Sequence, residues 1–323
     1  MNVDQQNALA KINLDSLMRV GASLLVLAAV AFGGNMMLSG TPGSLTVVGA
    51  AIVGAYMALN IGANDVANNV GPAVGSKAVT LAGAIAIAAV FEASGALIAG
   101  GDVVSTIKKG IIDPALIGDV NVFIWIMVAA LMAAALWLNL ATLMGAPVST
   151  THSIVGGVLG GGIAAGGWHI ANWDKMGAIA ASWVISPVMG GLIAAAFLFL
   201  IEFTIIHQRD KTEAAKRVVP ILIAIMAWAF SSYLVLKGLK KLWKVDFISA
   251  VGIGLAIAVI AYLIVKPMVS RAARSMSNHR DDVNHLFTIP LVFGAALLSF
   301  AHGANDVANA VGPLAAINDA VLN

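Results

Sequence analysis

The chain has 323 residues, of which 60% are hydrophobic and only 11% are charged, and its formal net charge is +2. This composition excludes an ordinary soluble globular protein and a disordered chain, and it predicts an integral membrane protein. The chain contains no cysteine, so disulfides, thiolate metal sites and cysteine nucleophiles are excluded as well.

Apolar segments follow one another along the chain, and we predict that each is a membrane helix or part of one. A bilayer core about 30 Å thick requires about 20 apolar residues per helix. The alternation typical of barrel strands is missing, so the predicted fold class is all-α. Several segments are too short to cross the bilayer as one straight helix. The segments are 20–37, 47–60, 79–99, 122–144, 154–165, 178–206, 218–236, 247–265 and 287–301.

One string of eleven residues occurs twice. Residues 62–72 read GANDVANNVGP and residues 303–313 read GANDVANAVGP, so the copies lie 241 positions apart and match at ten of eleven positions. Such a match indicates an internal duplication. We therefore predict a polytopic membrane protein built from two repeats.

The two copies of this signature predict how the chain is divided. Residues 1–45 form an N-terminal segment with the first membrane helix, and residues 46–206 form the first repeat. Residues 207–285 form a linker with a hydrophobic hairpin, and residues 286–323 begin the second repeat. Because only ten residues follow the second copy, we expect the second repeat to be truncated.

Each copy of the signature places a carboxylate inside apolar sequence. A charged residue at the centre of a membrane helix costs about 2.5–3.5 kcal/mol, so a compensating partner is required. On a helix, the first three polar residues of a copy fall within about 100° of one another. Carboxylate and amide oxygens are hard ligands that suit Na⁺, and a carboxylate also carries a proton. The predicted cation-binding residues are Asn64, Asp65 and Asn68, repeated as Asn305, Asp306 and Asn309.

Helix-breaking residues surround the first set of ligands. Gly62, Gly71 and Pro72 interrupt an apolar segment, as is typical of discontinuous membrane helices. We predict broken or re-entrant helices whose freed backbone carbonyls face a protected cavity.

A second polar cluster lies in APVSTTHSIVGG, residues 146–157. Either Ser149 or Thr150 is predicted to cap a helix that begins close to Pro147. A buried helix N terminus with hydroxyl groups around it forms an anion site without a fixed charge. An oxyanion of the size of phosphate fits this description.

The stretch GGDVVSTIKKGI, residues 100–111, adds Ser105 and Thr106, with two lysines close behind. Two interpretations stay open for it. The hydroxyls either contribute to an anion site or bond back to the preceding turn, beside lysines that reach for the membrane surface.

Basic residues are concentrated in two loops, 207–217 and 266–285, which flank one hydrophobic hairpin and are therefore predicted to share a side. Together these loops carry eight Lys and Arg residues, against four in the intervening loop 237–244. The positive-inside rule places the richer pair in the cytoplasm.

The two signature copies, with FEASGALIAGGDVVSTIKKGI at residues 91–111 and PVSTTHSIVGG at residues 147–157, resemble the inorganic phosphate transporter (PiT) family. The resemblance runs from about residue 51 to the C terminus. It implies a carrier of inorganic phosphate that is built from two inverted repeats and is coupled to a Na⁺ or H⁺ gradient by alternating access. It also implies a homodimer in the lipid bilayer of the cell (inner) membrane.

The resemblance implies roles for individual residues. The Asn and Asp residues of both signatures would hold the coupling cation, with Na⁺ as a candidate, and Glu92 is a candidate coupling residue. No second segment like PVSTTHS occurs in the chain, so half of the expected hydroxyl groups are missing. The residues that match positions in or beside a phosphate site are Ser105, Thr106, Ser149, Thr150, Thr151 and Ser153.

Two alternatives to a phosphate carrier stay open, namely a carrier of another oxyanion such as sulfate and a passive anion channel. An enzyme is not expected, because Ser149 and His152 lie three residues apart on one segment with no evident third group to orient them. ATP-driven transport is not expected either, because neither GxxxxGKS nor GxxxxGKT occurs. We predict no cofactor beyond the coupling ion and no nucleic-acid partner.

Overall fold

The computed structural model describes residues 3–238 and 245–322, with side chains from residue 16 onward. These residues form twelve α-helices, and the β-type pairing among them is limited to the isolated bridge between Ile112 and Ala171. The all-α prediction is confirmed. The helices are α1 (Val3–Leu38), α2 (Ser44–Gly75), α3 (Leu81–Ala99), α4 (Gly101–Lys109), α5 (Val120–Leu143), α6 (Thr150–Gly166), α7 (Trp173–Ile201), α8 (Lys211–Tyr233), α9 (Phe247–Ala272), α10 (Arg280–His285), α11 (Thr288–His302) and α12 (Ala308–Leu322).

Eight helical stretches of the described residues are long and apolar enough to cross a membrane. The nine predicted segments each fall on one helix or on its direct continuation. The segment without a matching span is 154–165, because α6 has only 17 residues. The short α6 agrees with the expectation that several apolar segments do not cross the bilayer as one straight helix.

Large apolar side chains are exposed along several helices, above all along α7, where no residue of the most apolar window is buried. Val188, Leu192 and Phe199 are examples on this helix. Such a surface is unfavourable in water and favourable in lipid. Together with the eight membrane-length stretches, it identifies an integral membrane protein.

The chain forms two compact units, each assembled from separate stretches. Unit 1 comprises Met1–Asp65, Asp102–Asn172 and Asp306–Asn323. Unit 2 comprises Val66–Gly101 and Trp173–Asn305. The division into an N-terminal segment, two inverted repeats and a linker follows the duplication in the sequence instead, and it stays a prediction.

In unit 1, α5 packs against α6 and α12. Small residues allow the close approach, since a Cβ added to Gly157 would lie 3.2 Å from the Ala130 backbone. An ion pair between Lys108 of α4 and Asp319 of α12 joins two further helices of the unit. Unit 1 therefore holds α5, α6 and α12 in one compact body.

In unit 2, hydrogen bonds connect the two basic loops. The Lys211 backbone N–H donates to Asn278 Oδ1 at 2.7 Å, and Asn278 Nδ2 donates to the Arg209 carbonyl at 2.6 Å. The prediction that these loops share a side is confirmed, and their cytoplasmic location stays a prediction. In the intervening loop, Lys240, Lys241 and Lys244 lie outside the described residues.

Helices α3 and α11 of unit 2 approach each other closely through glycines. A Cβ added to Gly95 would overlap the Phe300 carbonyl oxygen, and one added to Gly303 would overlap the Glu92 carbonyl oxygen. Only a residue without a side chain fits at either position. These two glycines therefore set the distance between the helices.

The predicted helix break at the first signature is wrong. Helix α2 runs without interruption from Ser44 to Gly75 and includes Pro72. A proline removes one backbone donor, and Pro72 lies so close to the helix end that this loss does not divide the helix. Gly62 and Gly71 tolerate helical geometry like any residue, at a modest entropic cost. In the second copy, Gly303–Val307 forms a π-helical turn between α11 and α12.

The glycine contact generates a testable prediction. Gly95→Ala should lower the stability of the protein by about 1–3 kcal/mol, because α3 and α11 must separate to admit the new methyl group. The measurement is thermal unfolding of the detergent-solubilised protein, followed by size-exclusion chromatography. Gly294→Ala is the matched control, because a Cβ on this glycine of α11 would meet nothing within 4 Å. Equal unfolding temperatures for the two variants would contradict the packing argument.

Candidate functional site

The N-terminal turn of α6 is the centre of the polar contacts in unit 1. Ser149 is the N-cap, and its Oγ accepts a hydrogen bond from the His152 backbone N–H at 3.2 Å. The Ser153 hydroxyl donates back to the Ser149 carbonyl at 2.8 Å. The predicted cap is confirmed. Because the first N–H groups of a helix lack acceptors within it, α6 presents donors and the positive end of its dipole at this turn.

Thr150 connects this turn to the first signature. Its Oγ1 donates to Asp65 Oδ2 at 2.7 Å. Both residues are buried, with 1% of Thr150 and 7% of Asp65 exposed. A hydrogen bond to an ionised carboxylate is stronger than one between neutral groups, so it offsets part of the energy needed to bury Asp65.

Thr151 connects the same turn to the second signature. Its Oγ1 donates to Asp306 Oδ1 at 2.9 Å and accepts from Asn309 Nδ2 at 2.9 Å. Asn309 Nδ2 also lies 3.3 Å from Asp306 Oδ1. Two neighbouring threonines thus bring the carboxylates of both signatures to one helix N terminus.

The carbonyl oxygen of the Asn309 side chain is a notable feature of this cluster. Asn309 is fully buried, and its Oδ1 accepts no hydrogen bond from the described residues. A buried acceptor without a donor is uncommon and requires an explanation. A cation beside Asp306 would provide one, since amide and carboxylate oxygens are hard ligands.

Asn64 holds the connection between α5 and α6. Its Nδ2 donates to Thr142 Oγ1 at 2.9 Å and to the Ala146 carbonyl at 3.3 Å. Its Oδ1 accepts from the Val148 backbone N–H at 3.4 Å. Both ends of the amide are therefore bonded to the segment that precedes α6. These contacts are those of a positioning residue, and the cation role of Asn64 stays a prediction.

Ser105 and Thr106 lie on α4, and the described contacts of unit 1 join neither hydroxyl to the α6 turn. Ser105 is exposed. Thr106 Oγ1 donates to the Asp102 carbonyl at 3.0 Å. This bond to the preceding helical turn is one of the two interpretations that the sequence allows for these hydroxyls. Their part in substrate binding stays a prediction.

The remaining predicted residues belong to unit 2. Asn68 and Asn305 have exposed side chains there, and their cation role stays a prediction. Glu92 is buried with 12% of its side chain exposed, and its Oε1 lies 3.2 Å from His302 Nδ1. The same oxygen accepts a hydrogen bond from Asn69 Nδ2 at 2.9 Å. This cluster joins α2, α3 and α11, and a coupling role for Glu92 stays a prediction.

Several polar residues of these networks were not predicted from the sequence. Thr142 binds Asn64, and Asn69 binds Glu92. In unit 1, Asn139 Nδ2 also donates to Asn60 Oδ1 at 2.9 Å. Their shared signal is an amide or hydroxyl within an apolar segment, which in a membrane helix usually finds a partner on another helix.

Comparisons with known proteins agree with the all-α membrane fold. The model of the "Phosphate transporter family" matches residues 61–323. A "Putative phosphate permease" of Helicobacter pylori strain J99 is 54% identical over 95% of this chain and 56% of its own length. One from Pyrococcus abyssi is 38% identical over 82% of this chain and 65% of its own length. The chain thus spans about half the length of the Helicobacter relative.

A solved structure is similar as well. It is named "The sodium-dependent phosphate transporter", and it matches with a TM-score of 0.79 and 36% identity, over 85% of this chain and 68% of that chain. The membrane-length helices, with carboxylates and hydroxyls together at one helix N terminus, define an integral membrane protein with an internal polar cluster. More particularly, the chain belongs to the phosphate transporter family, as the resemblance of its signatures implied.

The contacts of Asn64 generate a second prediction. Asn64→Ala should loosen the connection between α5 and α6, because it removes three hydrogen bonds. The natural chain has no cysteine, so a cysteine introduced by Ala146→Cys reports on this segment alone. We expect several-fold faster maleimide labelling at that position. Asn68→Ala is the control on the same helix, and equal labelling rates in both backgrounds would contradict the positioning role.

Proposed function

We propose that the protein is a secondary active carrier that moves inorganic phosphate together with Na⁺ across the cell (inner) membrane. The observation that carries this proposal is the pair of hydrogen bonds from Thr150 to Asp65 and from Thr151 to Asp306. Alternating access between inverted repeats and the pairing of two chains belong to the same proposal. They rest on the family resemblance and on the duplicated signature.

The proposed cation site lies at the two carboxylates. Asp65 accepts a hydrogen bond from Thr150 and Asp306 accepts one from Thr151, so both carboxylates lie at the same helix N terminus. A Na⁺ ion at Asp306 would also be a partner for Asn309 Oδ1. A protonated Asp306 would also be a donor for this amide oxygen, so the open acceptor fits either Na⁺ or H⁺. The similar solved structure is named as a sodium-dependent protein, and this name favours Na⁺.

The proposed anion site is the N terminus of α6, and its hydroxyls would couple the two ions. A threonine hydroxyl has only one proton to donate. While Thr150 and Thr151 donate to carboxylates, they cannot donate to phosphate. Once Na⁺ balances the carboxylates, the hydroxyls can turn towards an oxyanion that binds the free N–H groups of the helix. Na⁺ would then raise the affinity for phosphate, and phosphate would raise the affinity for Na⁺ by the same factor.

Phosphate is favoured over sulfate by the family to which the chain belongs and by the names of its relatives. A passive channel would need no such link between a cation site and an anion site. The adjacency of the two sites on one helical turn therefore favours a coupled carrier.

The coupling mechanism predicts a specific loss in Thr150→Val. Uptake of radiolabelled phosphate into proteoliposomes, driven by a Na⁺ gradient, should fall at least about tenfold, because a hydrogen bond to a charged group contributes about 1.5–3 kcal/mol. Thr150→Ser keeps the hydroxyl and should retain most of the uptake. Sodium and pH gradients are imposed separately. Uptake driven by the pH gradient alone would contradict Na⁺ coupling, and flux without any gradient dependence would indicate a channel.

Binding of Na⁺ can be measured apart from transport. NaCl, compared with choline chloride, should raise the unfolding temperature of the purified protein, and Asp306→Asn and Asn309→Ala should abolish this shift. Asp319→Asn is the control on the same helix, because Asp319 pairs with Lys108 and should not affect Na⁺ binding. A full sodium-dependent shift in Asp306→Asn would rule out the assigned site.

A further inference from the structure

An apolar groove in unit 2 lies outside the proposed transport site. Its volume is about 550 Å³, and of its 18 lining residues only Ser231 and His285 carry a side-chain oxygen or nitrogen. Helices α8, α9 and α11 form most of its walls, with three phenylalanines and three methionines among the lining residues. A groove of this size and polarity is typical of a site for an apolar ligand. In a membrane protein the most abundant such ligand is lipid.

The groove has a defined direction and length. Along α9 its lining extends from Ala261 to Ala272, which is about 16 Å at the helical rise of 1.5 Å per residue. One leaflet of a bilayer has a hydrocarbon layer about 15 Å thick. The groove is therefore about as long as the acyl chain region of a single leaflet.

One end of the groove opens at the basic loops. Ala272 lies in the last turn of α9, and Met276 and His285 line the groove in the segment that follows. This segment is hydrogen-bonded to the other basic loop through Asn278. The opposite end, near Ser231 and Leu297, lies further along α8 and α11 from the basic loops. The polar end and the apolar end are thus arranged as in a phospholipid.

The charges at the open end are predominantly positive. Loops 207–217 and 266–285 carry eight Lys and Arg residues against four Asp and Glu residues. Arg271 and Arg274 flank the lining residue Ala272, both are exposed, and neither forms an ion pair within the described part of the chain. The acidic residues are partly engaged, since Glu213 pairs with Lys216 and Arg217. A negatively charged headgroup complements this end of the groove.

We propose that the groove binds one anionic phospholipid, with an acyl chain between α8, α9 and α11 and the headgroup at Arg271, Arg274 and His285. The site is separate from the ions that the carrier is proposed to transport. A zwitterionic lipid would fill the same apolar space but would gain little from the arginines. The site therefore selects its lipid by headgroup charge.

The test measures lipid binding to the purified full chain by native mass spectrometry, with palmitoyl-oleoyl phosphatidylglycerol and phosphatidylcholine as probes. Phosphatidylglycerol should bind at least about fivefold more tightly, since each arginine near a headgroup contributes about fivefold. The double variant R271Q/R274Q should bring the affinity for phosphatidylglycerol down to that for phosphatidylcholine. Both arginines are exposed, so this variant leaves the helix packing intact. Equal binding of the two lipids to the natural chain, or unchanged selectivity in the double variant, would overturn the proposal.

A second pair of variants tests the groove itself. Ala227→Phe fills the space between the helices and should reduce the binding of both lipids at least tenfold, whereas Ala229→Phe on the exposed side of the same helix should not. Equal lipid binding by these two variants would overturn the site. A second copy of the chain is the competing occupant, and Ile289→Cys at the groove tests for it, since the natural chain has no cysteine. Efficient disulfide cross-linking of two chains through this position would show that a second chain, and not a lipid, occupies the groove.

Discussion

The placement of two carboxylates at one helix N terminus, with Asp65 buried and Asp306 partly buried, is the constraint on which the rest of unit 1 depends. Placing two charges at the centre of a membrane protein costs roughly 5–7 kcal/mol. The hydrogen bonds from Thr150 and Thr151 each contribute about 1.5–3 kcal/mol towards this energy. The start of α6 must therefore be held accurately, and Asn64 and the Ser149 cap do so from both sides of the connection.

In unit 2 the carboxylate of Glu92 has a different set of partners. Glu92 contacts the Asn69 amide of α2 and the His302 imidazole of α11, and two glycines bring α3 and α11 close together. In this arrangement the protein itself supplies the polar partners of the charge. In unit 1 the cluster leaves a fully buried amide oxygen, Asn309 Oδ1, without a donor from the described residues. The proposed cation site rests on this difference between the two clusters.

The sequence was a good guide to features that depend on local pattern. The helices, the Ser149 cap and the common side of the two basic loops follow from hydropathy, capping preference and loop order, which need no knowledge of packing. The failures concern tertiary structure. The break predicted at Pro72 did not occur, because helix context decides what one missing hydrogen bond does. Likewise, Thr142 and Asn69 gave only the weak signal of single polar residues, and their importance depends on which helix lies opposite.

The adjacency of Thr150 and Thr151 also explains how one short helix can serve two copies of a signature. Neighbouring residues on a helix point about 100° apart, so their side chains can reach different elements from the same turn. One reaches α2, and the other reaches the turn that leads into α12. Any ion that alters one contact must then act on the same N–H groups and dipole as the other. Two distant segments thereby share one electrostatic environment, which is the physical condition for coupling between a cation and an anion.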